Sequence, residues 1–166
     1  LPYISHMRNL VSALAASLLL CAAPTHAQSF VPAPNLSFGG DFTLTSPSGA
    51  TVTLQTFHGA NLVLAFCATP ELARLATALQ LADPSGKKLR AVLVTQAAPP
   101  KLPPRISSLS GAPAQVQAAA SEYGATDPST AATLFYLIGP DGKFIALIPA
   151  TLSPEQMAGQ LSALSR

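Results

Sequence analysis

The stretch Asn61–Phe66 constrains this chain more than any other. Leu62, Val63, Leu64, Ala65 and Phe66 follow one another without a polar interruption. A half-exposed strand alternates apolar and polar residues. A continuous run suits a strand buried on both faces, as in a parallel sheet covered by helices. Leu89–Val94 and Thr133–Ile138 read the same way. With 166 residues, 49% hydrophobic and 10% charged, the chain is long enough for one domain around such a core and not comfortably for two. The same composition argues against disorder.

The segments between these strands carry helix and turn signals. Thr69 is placed to cap a helix with Pro70 at its first position, and Leu72, Leu75 and Leu79 recur at helical spacing until Asp83-Pro84-Ser85-Gly86 stops it. A Pro-rich loop runs from Ala97 to Pro104. Pro113 starts a second helix with Val116, Ala120 and Tyr123 on one face and Gly124 as its C-cap. Gly139-Pro140-Asp141-Gly142 turns the chain, and Phe144–Ile148 returns as a hairpin partner. Ser153-Pro154-Glu155-Gln156 is a capping box opening a last helix, with Met157, Leu161 and Leu164 on one face. Ahead of the first apolar run, Phe42–Thr45 and Thr51–Leu54 alternate around Ser46-Pro47-Ser48-Gly49 and predict a hairpin.

The N-terminus has the grammar of a targeting segment. Met7 is the natural start, with 1–6 an upstream extension. Arg8 supplies a positive charge, and Leu10–Ala23 is an apolar run of 14 residues, short for a bilayer span. Small residues at Thr25-His26-Ala27 allow cleavage before Gln28. Residues 1–27 are thus expected to be a secretory signal, with an uncleaved anchor as the alternative, and the protein to be exported to the periplasm. Lipidation at Cys21 has weak support, since Leu20 precedes it. Residues 28–37, with Pro32 and Pro34, read as an extended arm, and 38–166 as the domain. Beyond residue 27 there is one cysteine, Cys67, and one histidine, His58, so no disulfide forms within the mature chain.

Several function classes are excluded. Nine Lys and Arg stand against seven Asp and Glu with no basic run, so nothing supports nucleic-acid binding. There is no Gly-rich phosphate loop and no H-E-x-x-H motif. The hydroxyls of Asp127-Pro128-Ser129-Thr130 have no base nearby in sequence, which leaves nucleophilic catalysis there unsupported.

Hairpin, β-α-β, helix, β-hairpin and helix in this order predict an α/β fold. It is a mixed central sheet flanked by helices, the thioredoxin plan with an N-terminal β-hairpin added. The words Gly39-Gly40-Asp41-Phe42-Thr43-Leu44-Thr45, Gly49–Leu54, Phe57-His58-Gly59 before Asn61–Phe66, Leu134–Ile138, Gly139–Phe144 and Ser153–Met157 resemble the SCO/SenC family of copper chaperones over residues 38–164. The resemblance implies a thioredoxin-like fold and a role in supplying copper to, or reducing, the dinuclear copper site of cytochrome c oxidase. It also implies protein partners, either a respiratory oxidase subunit or another copper-handling protein. Membrane contact is expected only through an uncleaved signal.

The family holds copper with two cysteines in a C-x-x-x-C motif and a distant histidine, a donor set suited to soft Cu(I). Here the motif region reads Phe66-Cys67-Ala68-Thr69-Pro70-Glu71-Leu72-Ala73. In one alignment Cys67 is the first ligand and Glu71 stands where the second belongs. In the other the first ligand is missing and Ala73 takes the place of the second. The histidine position falls at about Ala131. The expectation is therefore a scaffold or interaction variant without metal ligands or cofactor, with copper entering only by resemblance. The family's acidic, Arg-containing loop and helix after Val94 are also replaced by the Pro-rich stretch, which would leave one face of the sheet short of a helix.

Each remaining candidate has a plainer reading. Cys67 is expected to be a small buried residue rather than a catalytic thiol. The alternative is an enzyme, a one-cysteine thiol–disulfide reductase or peroxiredoxin-like protein using Cys67, its thiolate favoured by the helix end and by Arg74. Cys67 could also pair between chains. His58 is read as a solvated turn residue at the opposite end of the sheet. Glu71 is read as a charge complementing the helix dipole.

Overall fold

In the computed structural model the described residues are 39–66, 70–96, 101–126 and 134–166. The expected signal segment, the extended arm, Cys67, Thr69 and Ala131 lie outside them. The elements in chain order are β1 (Thr43–Thr45), β2 (Thr51–Thr53), a 3-10 turn (Leu54–Phe57), β3 (Asn61–Ala65), α1 (Glu71–Ala82), β4 (Leu89–Thr95) and β5 (Ile106–Ser110). They continue with α2 (Pro113–Glu122), β6 (Leu134–Ile138), β7 (Phe144–Pro149) and α3 (Pro154–Leu164). Among the described residues, no helix is long and apolar enough to cross a membrane.

All seven strands join one sheet in the order β2-β1-β5-β4-β3-β6-β7. β3, β4 and β5 run parallel, and β6 and β7 return antiparallel beside β3. The hairpin of β1 and β2 joins β5 antiparallel at Thr45 opposite Ser110. This is the expected α/β mixed sheet, with the N-terminal hairpin in place. β3 sits near the centre and every one of its residues is buried. Its side chains alternate between two cores. Val63 and Ala65 face Leu72, Leu75 and Leu79 of α1 and Met157 and Leu161 of α3. Leu62 and Leu64 face Phe42, Leu44, Val52, Ala120 and Tyr123. Each fully buried leucine contributes on the order of 1.5–3 kcal/mol by leaving water.

The capping box of α3 forms as read. The Gln156 amide N–H donates to Ser153 Oγ at 3.3 Å, and the Ser153 amide N–H donates to Gln156 Oε1 at 3.2 Å. At α1, Pro70 already has helical angles (φ −54°, ψ −25°), and no side chain caps that position. Gly124 follows α2 at φ 66°, the left-handed conformation that ends helices.

Two elements depart from the sequence reading. The 3-10 turn at Leu54–Phe57 follows β2 directly, where the alternation extended the strand to Leu54. The strand β5 occupies a stretch to which the reading gave no element. Its sequence, Ile106-Ser107-Ser108-Leu109-Ser110, has only two apolar residues and follows prolines, so its pattern is faint. Pairing along β4, from Ala91 with Ile106 to Thr95 with Ser110, makes it a strand.

Parallel strands need a crossover that covers the sheet. Between β4 and β5 the described part, 101–105, is irregular. Leu102 packs against the α1–α3 core. Arg105 then locks the connection. Its Nη1 donates to the carbonyls of Leu79 at 2.7 Å and Asp83 at 2.5 Å, at the C-terminal end of α1, where each carbonyl also accepts a backbone amide. Its Nη2 lies 3.5 Å from Asp83 Oδ2. Arg105 holds φ 71°, alone among the described non-glycine residues, a conformation costing roughly 1–2 kcal/mol. These contacts offset it. The Asp83 carboxylate is 5% exposed. It accepts from Ser85 Oγ at 2.6 Å and from the Lys88 and Leu89 amides at 2.7 and 3.0 Å. One buried acid thus ties α1, the start of β4 and the approach to β5 together.

Burial alone would raise the Asp83 pKa. Its hydrogen bonds from Ser85, Leu89 and Lys88, with Arg105 beside it, outweigh burial and bring it down from 3.8 to about 2. The folded-state value is depressed, so the stabilisation is present above pH 3.8 and is lost as pH falls through about 2. Asp83→Asn is therefore expected to lower stability by about 2 kcal/mol at neutral pH. The gap from the parent should close as both are acidified toward pH 2. Urea unfolding followed by circular dichroism at several pH values measures it; a gap independent of pH would contradict the ionic role.

Candidate functional site

Three chain segments meet at one end of the sheet, the end to which the family resemblance points. β3 ends at Ala65 and Phe66 follows, half-buried. The chain re-enters the described residues at Pro70, and Glu71 stands in the first turn of α1. β6 runs antiparallel to β3 with Tyr136 opposite Leu64, so Leu134 begins at the same end. Apolar burial of β3 and β6 thus fixes the flanks of the site. Cys67, the candidate thiol, and Ala131, at the position where the resemblance would put a histidine, belong to the stretches outside the described residues.

The flanks are poor in donors. Glu71 is half-buried, while Ala73 and Arg74 are exposed on α1. A carboxylate in the first turn of a helix complements the dipole, and Glu71 is the only acid there. His58 is exposed in the turn before β3, and its Nε2 lies 3.2 Å from where a Cβ on Gly142 would stand. Gly142 belongs to the β6–β7 turn, at the far end of β3 from Phe66. The structure therefore does not bring His58 toward the Cys67 segment. Among the described residues there is no group of three His, Cys, Asp or Glu that could hold a metal ion.

Beneath the site lies an aromatic cluster that the sequence reading did not find. Phe66 packs against Tyr123 (ring centroids 5.8 Å) and edge-on against Tyr136 (5.5 Å), and the two tyrosines meet at 5.8 Å. These residues come from the end of β3, the end of α2 and the middle of β6. No sequence spacing joins them; the only signal was that a chain with 6% aromatic residues places one at each of these points. The Tyr123 hydroxyl donates to the Gly40 carbonyl at 3.2 Å. The Gly39 amide donates to the Glu122 carbonyl at 3.1 Å. The Glu122 side chain lies over Gly40. The start of the domain is thereby tied to the end of α2.

Comparison with known proteins agrees with this architecture. Residues 96–166 match the SCO1/SenC family model. No curated protein matches the chain. Among solved structures, copper-bound ScoI of Bradyrhizobium japonicum matches with a TM-score of 0.62 at 23% identity, over 76% of this chain and 99% of that one. Copper-bound yeast Sco1 matches with a TM-score of 0.65 at 22% identity, over 76% and 91%. BsSco, a member of the Sco family of cytochrome c oxidase assembly proteins, matches at 0.60 with 18% identity, over 81% and 97%. The fold is thioredoxin-like. The resemblance to the SCO1/SenC family drawn from the sequence is borne out, with the family match falling on the C-terminal part of the chain.

Burial raises the Tyr123 pKa to about 12, with the charges of Asp41 and Glu122 adding to it, and burial also raises that of Tyr136. A raised phenol pKa favours the fold below pH 10, and the gain is lost as pH rises through about 12. In an alkaline absorbance titration the last tyrosine step is expected near pH 12, and Tyr123→Phe should remove it. The same variant should lose about 1 kcal/mol with the hydrogen bond to Gly40. Ordinary titration of all tyrosines near pH 10 would contradict the packing.

Proposed function

We propose that this protein is an exported SCO/SenC-like scaffold acting in assembly of the cytochrome c oxidase copper centre, without the family's own copper site. The observation that carries the proposal is chemical. The sheet end and its helix are kept, while the donor set is reduced to one thiol. Cu(I) favours thiolates and accepts imidazole. Cys67 supplies a single sulfur. Glu71 offers hard oxygen, and Ala73 and Ala131 offer nothing. These residues do not fit the ion, so copper handling by this chain itself is not part of the reading. Its contribution is to hold or orient a partner, an oxidase subunit or another copper-handling protein.

The oxidase link rests on the family match and on what is stated of BsSco. Export rests on the apolar run Leu10–Ala23 and the small residues before Gln28. Without residues 1–27 the chain has one cysteine, so a redox cycle through an internal disulfide is closed to it.

Cu(I) titration against a competing chelator tests the proposal. The expected result is no tight stoichiometric uptake; one tightly held equivalent would overturn it. Alkylation kinetics of Cys67 against pH separate the enzymatic alternative. The scaffold reading expects an ordinary thiol near 8.5 or an inaccessible one, whereas a reactive thiolate titrates well below that.

A further inference from the structure

At the end of the sheet opposite the Cys67 segment, five of the chain's nine Lys and Arg gather around two open clefts. One, of about 310 Å³, is lined by Arg90, Arg105, Ser107, Gly86 and Phe57 among others. The second, also about 310 Å³, is lined by Lys87, Lys88, Arg166, Asn61 and Gly59 among others. Neither is lined by an acidic side chain. Of the acids at this end, Asp83 is buried in its bonds to Arg105 and the β4 amides and Asp141 pairs with Lys143 at 3.4 Å, and neither lines a cleft. Lys87, Lys88, Arg90 and Arg166 are exposed. In a chain of formal net charge +2, this concentrates positive charge at one pole.

Gly39, the first described residue, also lies at this end. Gly39 approaches Phe144, which pairs with Ile138, which in turn lies opposite Leu62 near the start of β3. Asp41 and Glu122 also stand at this end, with Asp41 Oδ1 accepting from the Phe42 and Leu54 amides, and neither lines the two clefts.

We propose that this basic pole seats the domain on an anionic phospholipid surface, holding the Cys67 end away from the membrane and toward a partner. This rests on the export reading for the identity of the surface; the charge distribution stands without it. Lysine and arginine near an anionic bilayer each add to the attraction, within a Debye length.

The full chain is mixed with vesicles of phosphatidylcholine, alone or with phosphatidylglycerol, and acetylated briefly. Labelling at Lys87 and Lys88 is measured relative to Lys101, which lies on the loop beside α1. Anionic vesicles are expected to slow both lysines several-fold, and high salt to release them. Arg90→Gln and Arg166→Gln should each weaken this protection roughly fivefold. A chain that floats with both vesicle types yet labels equally in both overturns the seat while leaving an anchor intact. A chain that floats with neither overturns both. Protection by polyglutamate but not by phosphatidylglycerol overturns it in favour of an acidic protein surface.

Discussion

The rest of the structure depends on β3 being apolar on both faces. Its five residues are all buried, and no single layer can bury both sides. The chain must supply two covers. On one side these are α1 and α3, whose leucines and Met157 meet Val63 and Ala65. On the other they are α2 and the N-terminal hairpin, whose Tyr123, Leu44 and Val52 meet Leu62 and Leu64. Parallel pairing with β4 and the antiparallel return of β6 follow from the need to satisfy the backbone of a strand with no exposed edge.

The same demand bears on the β4–β5 connection. A right-handed crossover from β4 to β5 would ordinarily bring a helix onto the α1 side. Leu102 supplies apolar cover there, and Arg105 closes the α1 terminus while Asp83 gathers the neighbouring amides. A compact polar clip holds the end of this connection. It accepts a left-handed arginine to do so.

Much of the fold was legible in the sequence because its signals are local. The leucine spacing of α1, the capping box of α3 and the apolar runs of β3, β4 and β6 each lie within a few residues. The strand β5 was not legible, since serines occupy three of its five positions and its partner strand decides its state. The Asp83–Arg105 clip joins residues 22 apart, and the Phe66–Tyr123–Tyr136 cluster joins three elements; no local pattern announces either. For the candidate site the sequence was informative in a different way. The proposed lack of copper donors is read from residue identity at Glu71, Ala73 and Ala131, which needs no coordinates.

The proposed function holds that this thioredoxin-like scaffold stands without the family's chelating groups. Restoring them tests this directly. Glu71→Cys combined with Ala131→His would complete a C-x-x-x-C and histidine set around Cys67. The account predicts that this double variant takes up one equivalent of Cu(I), by competition titration and by copper–sulfur absorption, where the parent takes up none. A parent that binds copper as well as the variant, or a folded variant that still binds none, would contradict it.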